Sequence, residues 1–148
     1  MRSCVRGRPP RPRVERSLWS SLPDRCDHPL VRVIKPEMRK PTRSVADIFS
    51  GDVDSFTAVG GEHSADLRLS EIHFRSGARN RWHMHTTDQI LMCTHGDGII
   101  ATDAEQHDLV PGVIVLIPRN TRHWHGAKPG KDMTHWSILG PADTRIAD

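Results

Sequence analysis

The chain has 148 residues, 36% hydrophobic and 26% charged, with 21 Lys and Arg against 18 Asp and Glu and a formal charge of +3. That length suits one domain with a single core plus an appendage, and it is too short for two ordinary domains. No apolar run approaches the ~18–20 residues of a membrane span. Leu18-Trp19-Ser20-Ser21-Leu22 is too short for a secretory hydrophobic region, so a cytoplasmic protein is expected. Three unclustered cysteines, Cys4, Cys26 and Cys93, fit reduced thiols rather than a disulfide framework.

Charge is divided unevenly. Residues 1–43 carry 12 Lys and Arg against 4 Asp and Glu, a net of +8, whereas the remainder holds 9 against 14, a net of −5. The same first stretch contains Pro9, Pro10, Pro12, Pro23, Pro29, Pro36 and Pro41 and no sustained apolar periodicity. We therefore expect a disordered basic extension over residues 1–43 and a folded domain over 44–148. An Arg-rich arm can meet phosphates or carboxylates, but this one lacks the aromatic interleaving of nucleic-acid modules. It reads as a solvated extension, or as sequence upstream of a start nearer Met38, and nucleic acid is not an expected partner.

From residue 44 on, short alternating or apolar runs recur between turn residues, the pattern of an all-β sandwich or barrel. Val45 to Ser50 is the one stretch that suits a helical turn. Leu67, Leu69, Ile72 and Phe74 mark a strand whose phase slips near Ser70-Glu71, a candidate bulge. Trp82 to His85, Ile90 to Cys93, Gly98 to Thr102, Gln106 to Val110, Val113 to Ile117, Arg122 to His125 and Met133 to Leu139 follow. Gly60-Gly61, Ser76-Gly77, Gly96-Asp97-Gly98, Pro111-Gly112, Pro118-Arg119-Asn120 and Pro129-Gly130 punctuate them.

Alternate side chains of a strand point to opposite faces. His83 and His85 therefore share a face, with Trp82 and Met84 on the other. His123 and His125 likewise oppose Trp124, and His135 and Ser137 oppose Trp136. If each polar face lines a barrel interior, one cavity receives five histidines and Gln89. Packing alone does not explain such a cavity, because buried imidazoles without partners are costly. His63, His73, His95 and His107 have no such company and are expected at the surface.

The spacing Gly77-x5-His83-x-His85-x3-Gln89-x6-Gly96, followed by Gly112-x5-Pro118-x4-His123, resembles the paired motifs of the cupin family. The text from Gly77 to Ile138, above all His123-Trp124-His125-Gly126-Ala127, resembles a subgroup of small single-domain cupins. That subgroup includes carboxymuconolactone-decarboxylase-associated cupins and manganese-dependent hydroxynitrile lyases. The resemblance implies a single jelly-roll (double-stranded β-helix) barrel. It also implies His83, His85, Gln89 and His123 as metal ligands, with His125 and His135 as cavity groups near the substrate, where both are candidate catalytic acid–base groups. Asn120 stands where the family usually has Gly, and Asn tolerates the left-handed backbone that Gly would supply.

Nitrogen and oxygen donors without thiolate suit Mn(II) or Fe(II), with Zn, Ni or Co as alternatives, and leave two positions of a six-coordinate ion open. The leading expectation is a metal-dependent lyase using Lewis-acid and histidine acid–base chemistry on a small oxygenated molecule, cyanohydrin cleavage being its concrete form. A metal-dependent dioxygenase and a non-catalytic sensor or binding module are the alternatives. The absence of tyrosine excludes mechanisms needing a phenolate base. A homodimer is expected through an apolar outer face bearing Trp82, Trp124 and Trp136.

Overall fold

Where the sequence alternates, the computed structural model alternates. Met133, His135 and Ser137 are buried while Thr134, Trp136 and Ile138 between them are half-exposed; Gln89, Leu91 and Cys93 are buried while Ile90 and Met92 are exposed. The structure describes residues 31–148, of which 34–148 form one compact unit. The Arg/Pro-rich stretch through residue 30, with Cys4, Cys26 and His28, lies outside the described residues.

Among the described residues, one 3-10 turn at Pro36–Met38 is followed by thirteen strands. They are β1 (Thr42–Arg43), β2 (Phe49–Ser50), β3 (Val53–Val59), β4 (Arg68–Phe74), β5 (Arg79–Asn80), β6 (His83–His85), β7 (Gln89–Gly96), β8 (Gly98–Thr102), β9 (Gln106–Leu109), β10 (Ile114–Ile117), β11 (His123–Ala127), β12 (Met133–Leu139) and β13 (Thr144–Ile146). All pairings are antiparallel. One sheet runs β1-β3-β4-β12-β7-β10; in the other, β11 sits between β8, which also pairs with β9, and the β5/β6 run, which β2 and β13 flank. This is the double-sheet jelly roll that the family resemblance implied. Paired structure begins at Thr42, inside the stretch assigned to the extension, and Val45 to Ser50 forms a turn and β2 rather than a helix.

The phase slip in β4 has a different origin from the one expected. The extra residue is Ala58 on β3, opposite the Leu69–Ser70 step. Leu69 faces outward and Ile72 and Phe74 inward, because both faces of this sheet carry apolar side chains. A second irregularity opposes Thr134 and His135 to β7. Val53, Ile72, Phe74, Leu91, Cys93, Leu109, Ile117 and Met133 belong to one continuous core. Phe74 caps it beneath the histidines, with its ring centroid 5.8 Å from that of His125 and 5.6 Å from that of His135.

Asn120 does adopt the left-handed backbone, at φ +63°, and its N–H donates to the His85 carbonyl at 2.8 Å, tying that turn to β6. Gly126 is required for another reason. It pairs with Arg79 where β11 crosses β5, and a Cβ there would lie 2.4 Å from the Arg79 Cα and 2.6 Å from the Ala78 carbonyl oxygen. Gly126→Ala is thus expected to cost about 3 kcal/mol, the upper range for overpacking, in urea unfolding of the metal-free protein. A change below about 0.5 kcal/mol would show that β5 moves aside freely.

Candidate metal centre

Six polar side chains reach the interior from four strands: His83 and His85 from β6, Gln89 from β7, His123 and His125 from β11, and His135 from β12. All are buried, four of them to 2% exposure or less. His83, His85, Gln89, His125 and His135 line a cavity of about 190 Å³, with Asn80, Ser137 and Thr144 on its polar side and Ile48, Phe49, Ile72 and Leu139 on its apolar side. His123 sits directly behind, its ring centroid 4.2 Å from that of His83. A wider surface depression of about 490 Å³, lined by the 44–47 loop, Phe49 and Arg81, holds none of these groups.

Hydrogen bonds fix which nitrogen each ring turns inward. The Nδ1–H of His83 donates to the Arg81 carbonyl and that of His123 to the Thr121 carbonyl, both at 2.8 Å. His85 Nδ1 lies 2.9 Å from the Thr144 hydroxyl oxygen. A neutral imidazole that donates from Nδ1 presents a lone pair at Nε2. The Nε2 atoms of His83 and His85 are buried without a hydrogen-bond partner. His123 Nε2 faces Gln89 Oε1 at 3.2 Å, while the Gln89 amide donates to Ser137 Oγ at 2.9 Å. Two acceptors thus oppose each other, an arrangement that a cation between them resolves. With the amide turned over, Gln89 would satisfy His123 itself and Ser137 could donate to its oxygen instead; the orientation seen, with the amide donating to Ser137 Oγ, is the one that offers an oxygen to a cation.

The residues present therefore fit a divalent ion of nitrogen and oxygen preference. Among the described residues, ring nitrogens of His83, His123 and His125 all lie within 4.8 Å of one another. His85 flanks this trio, with its ring centroid 4.9 Å from that of His83 and 5.6 Å from that of His123. His125 and His135 form a second pair, centroids 4.8 Å apart at 77°, and neither ring has any partnered nitrogen.

Burial, the dominant cause, pushes the His83 imidazole down to about 3, helped by His123, and His85 and His135 down to about 4. His125 is driven well below the ordinary histidine value by burial and then by His135. All are neutral at pH 7, as metal ligation and proton acceptance require. An unfolded chain protonates these rings near pH 6.5 and the native fold does not. Their contribution to stability is therefore complete above about pH 6.5 and is lost progressively as pH falls through about 4 toward about 3. The melting temperature of metal-free protein is expected to be flat above that point and to decline steeply below it; a constant value from pH 7 to 4.5 would contradict the burial account.

Some functional positions were not foreseen from sequence. Thr144 lies on β13, and Ser137, recognised only as sharing a face with His135, turns out to hydrogen-bond Gln89. The tryptophans also divide differently. Trp82 and Trp124 stack edge-to-face at 6.4 Å on one sheet, while Trp136 lies on the other, so no single outer face bears all three. Arg122, Arg79 and Arg39 cover Trp82, Trp124 and Trp136 respectively. His63, His95 and His107 are exposed as expected; His73 is half-buried against Thr134.

Fold and site together define a small jelly-roll barrel with a histidine-lined interior cavity. Residues 70–138 match the Cupin domain family. An (R)-mandelonitrile lyase of Granulicella tundricola is 32% identical over 104 residues, which span 70% of this chain and 79% of that protein. The chain belongs to the cupin superfamily. A cupin-like protein of Thermotoga maritima is 32% identical, with a TM-score of 0.66 over 72% of this chain and 85% of its own. The polyketide cyclase RemF of Streptomyces resistomycificus shares the fold alone, with a TM-score of 0.70 at 13% identity over 80% of this chain and 87% of its own.

Proposed function

We propose that this protein is a metal-dependent lyase acting on a small oxygenated molecule, with cleavage of a cyanohydrin to an aldehyde and hydrogen cyanide as its concrete reaction. The observation that carries this reading is the convergence of unpartnered imidazole nitrogens on one small cavity, with His125 lying between the ligand-type nitrogens of His83 and His123 and the ring of His135. The 32% identity to a mandelonitrile lyase supports the reaction type.

His83, His85, Gln89 and His123 are assigned as the ligands of Mn(II) or Fe(II). A divalent ion held by four neutral donors would keep its full charge and would supply Lewis-acid polarisation of a substrate hydroxyl oxygen. His125, neutral and unpartnered, takes the hydroxyl proton as the carbon–carbon bond breaks and its electron pair leaves with cyanide. His135 stands beside it to orient the departing group, which regains the proton from His125. The low proton affinity of both rings makes the imidazolium short-lived and favours its prompt return. Ile48, Phe49, Ile72 and Leu139 receive the substrate's apolar part.

The test is cyanide release from an aromatic cyanohydrin by Mn(II)- or Fe(II)-loaded protein. Metal-dependent release supports the reading. No release, together with substrate-dependent oxygen consumption by the Fe(II) form, would replace it with a dioxygenase.

The same reading includes a homodimer, built on a surface other than the tryptophans. Ile90 and Met92 of β7 and Ile114 and Leu116 of the edge strand β10 point outward together and are exposed by 36–65%. A contiguous apolar patch on an edge strand calls for cover. The protein is expected to sediment as a dimer at micromolar concentration, and Ile114→Lys/Leu116→Lys as a monomer; a monomeric parent would contradict it.

A further inference from the structure

The three imidazoles on β6 and β11 are not oriented in the same way. His83 and His123 each donate to a carbonyl two residues earlier, in the segment that leads into their strand, so their orientation is built into the local chain. His85 instead meets the hydroxyl of a residue 59 positions away. That residue, Thr144, lies opposite His85 in the β13–β6 register, and Ile146 lies opposite His83.

The terminal segment is clamped to β6 along its length. The Thr86 N–H donates to the Asp143 carbonyl at 3.2 Å, and the Asp143 N–H donates to Thr86 Oγ1 at 3.0 Å. The Ala147 N–H donates to the Trp82 carbonyl at 2.8 Å, and Arg122 Nε–H donates to the Ala147 carbonyl at 2.8 Å. Arg81 pairs with Asp148. These contacts hold a hydroxyl oxygen in one place beside a buried ring whose other nitrogen, Nε2, has no partner.

We propose that Thr144 is the positioning residue of the metal centre: by accepting the Nδ1–H of His85 it turns the Nε2 lone pair into the site, making the C-terminal strand part of the metal-holding apparatus. The inference rests on the metal-centre reading above. An imidazole without that acceptor can rotate or take the other tautomer, in which Nε2 carries a proton and cannot ligate. Loss of such an outer partner typically weakens metal binding by about 10–100-fold.

The test uses the full chain and Mn(II) affinity measured by competition with a chromophoric chelator. Thr144→Val, which keeps the branched shape suited to a strand, is expected to weaken binding about 10–100-fold. Thr144→Ser, which keeps the acceptor, is expected to stay within about threefold of the parent, and the metal-free melting temperatures of all three are expected to agree. In a His85→Ala background, Thr144→Val should have no further effect, because the residue acts only through His85.

Equal affinities of Thr144→Val and the parent would overturn the inference while leaving the metal centre standing. So would equal losses in Val and Ser, or an undiminished loss in the His85→Ala background, each of which assigns the effect to strand packing. A parent that binds no Mn(II) removes the metal-centre reading and this inference with it.

Discussion

His125→Ala is expected to lower turnover by about 10²–10⁴-fold, the usual contribution of a positioned acid–base group, while the protein keeps its metal. The ring is 2% exposed and neither of its nitrogens is engaged, so nothing in the fold occupies the lone pair that would take the substrate's proton. His135, 4.8 Å away between ring centroids, is the nearest group able to substitute for it, and the variant's residual rate reports on that substitution. Metal content must be read alongside the rate, because the His125 ligand atom lies within 4.8 Å of those of His83 and His123. A variant that loses metal in proportion to activity would make His125 a ligand rather than the base. Full turnover with full metal would leave it without a catalytic part.

The second large effect is on metal retention. His83→Ala/His123→Ala removes the two most deeply buried of the assigned ligands, both at 0% exposure, and leaves Gln89 Oε1 facing an empty space. The parent should gain about 2.7 kcal/mol of stability at a metal concentration 100 times Kd, seen as a rise in melting temperature on adding Mn(II). The double variant should show no such rise. A shift of equal size in both would place the ion elsewhere on the protein.

Much of the site was legible in the chain because strand periodicity is strict. His-x-His at 83/85 and at 123/125 could only send both rings to one face, and the structure buries all four together. Asn120 was readable for the same kind of reason, since few residues tolerate a φ of +63°. Other parts left no local trace. Strand β3, Val-Asp-Ser-Phe-Thr-Ala-Val, mixes polar and apolar residues on both faces, so period two gives no contrast. Strand β13 is three exposed residues whose only signal is the partner they pair with, and Thr144's hydroxyl acquires its meaning from His85 across 59 positions. The outward tryptophans were read as one surface because sequence phase says which side of a strand a residue takes, not which sheet the strand joins. Arg39, 5.8 Å from the Trp136 ring and paired with the buried Glu71, lies in the stretch read as extension.

The neutral donors, the orphaned Nε2 atoms and the opposed acceptors of Gln89 and His123 all converge on one claim, that a divalent cation belongs between them. Elemental analysis of the protein purified without chelator, beside His83→Ala/His123→Ala purified identically, tests it most directly. Near-stoichiometric Mn or Fe in the parent and none in the variant is the expected result. A parent that holds no metal, and takes up none of Mn(II), Fe(II), Co(II), Ni(II) or Zn(II) on incubation, would contradict the account and leave a polar cavity built to bind a ligand without catalysis.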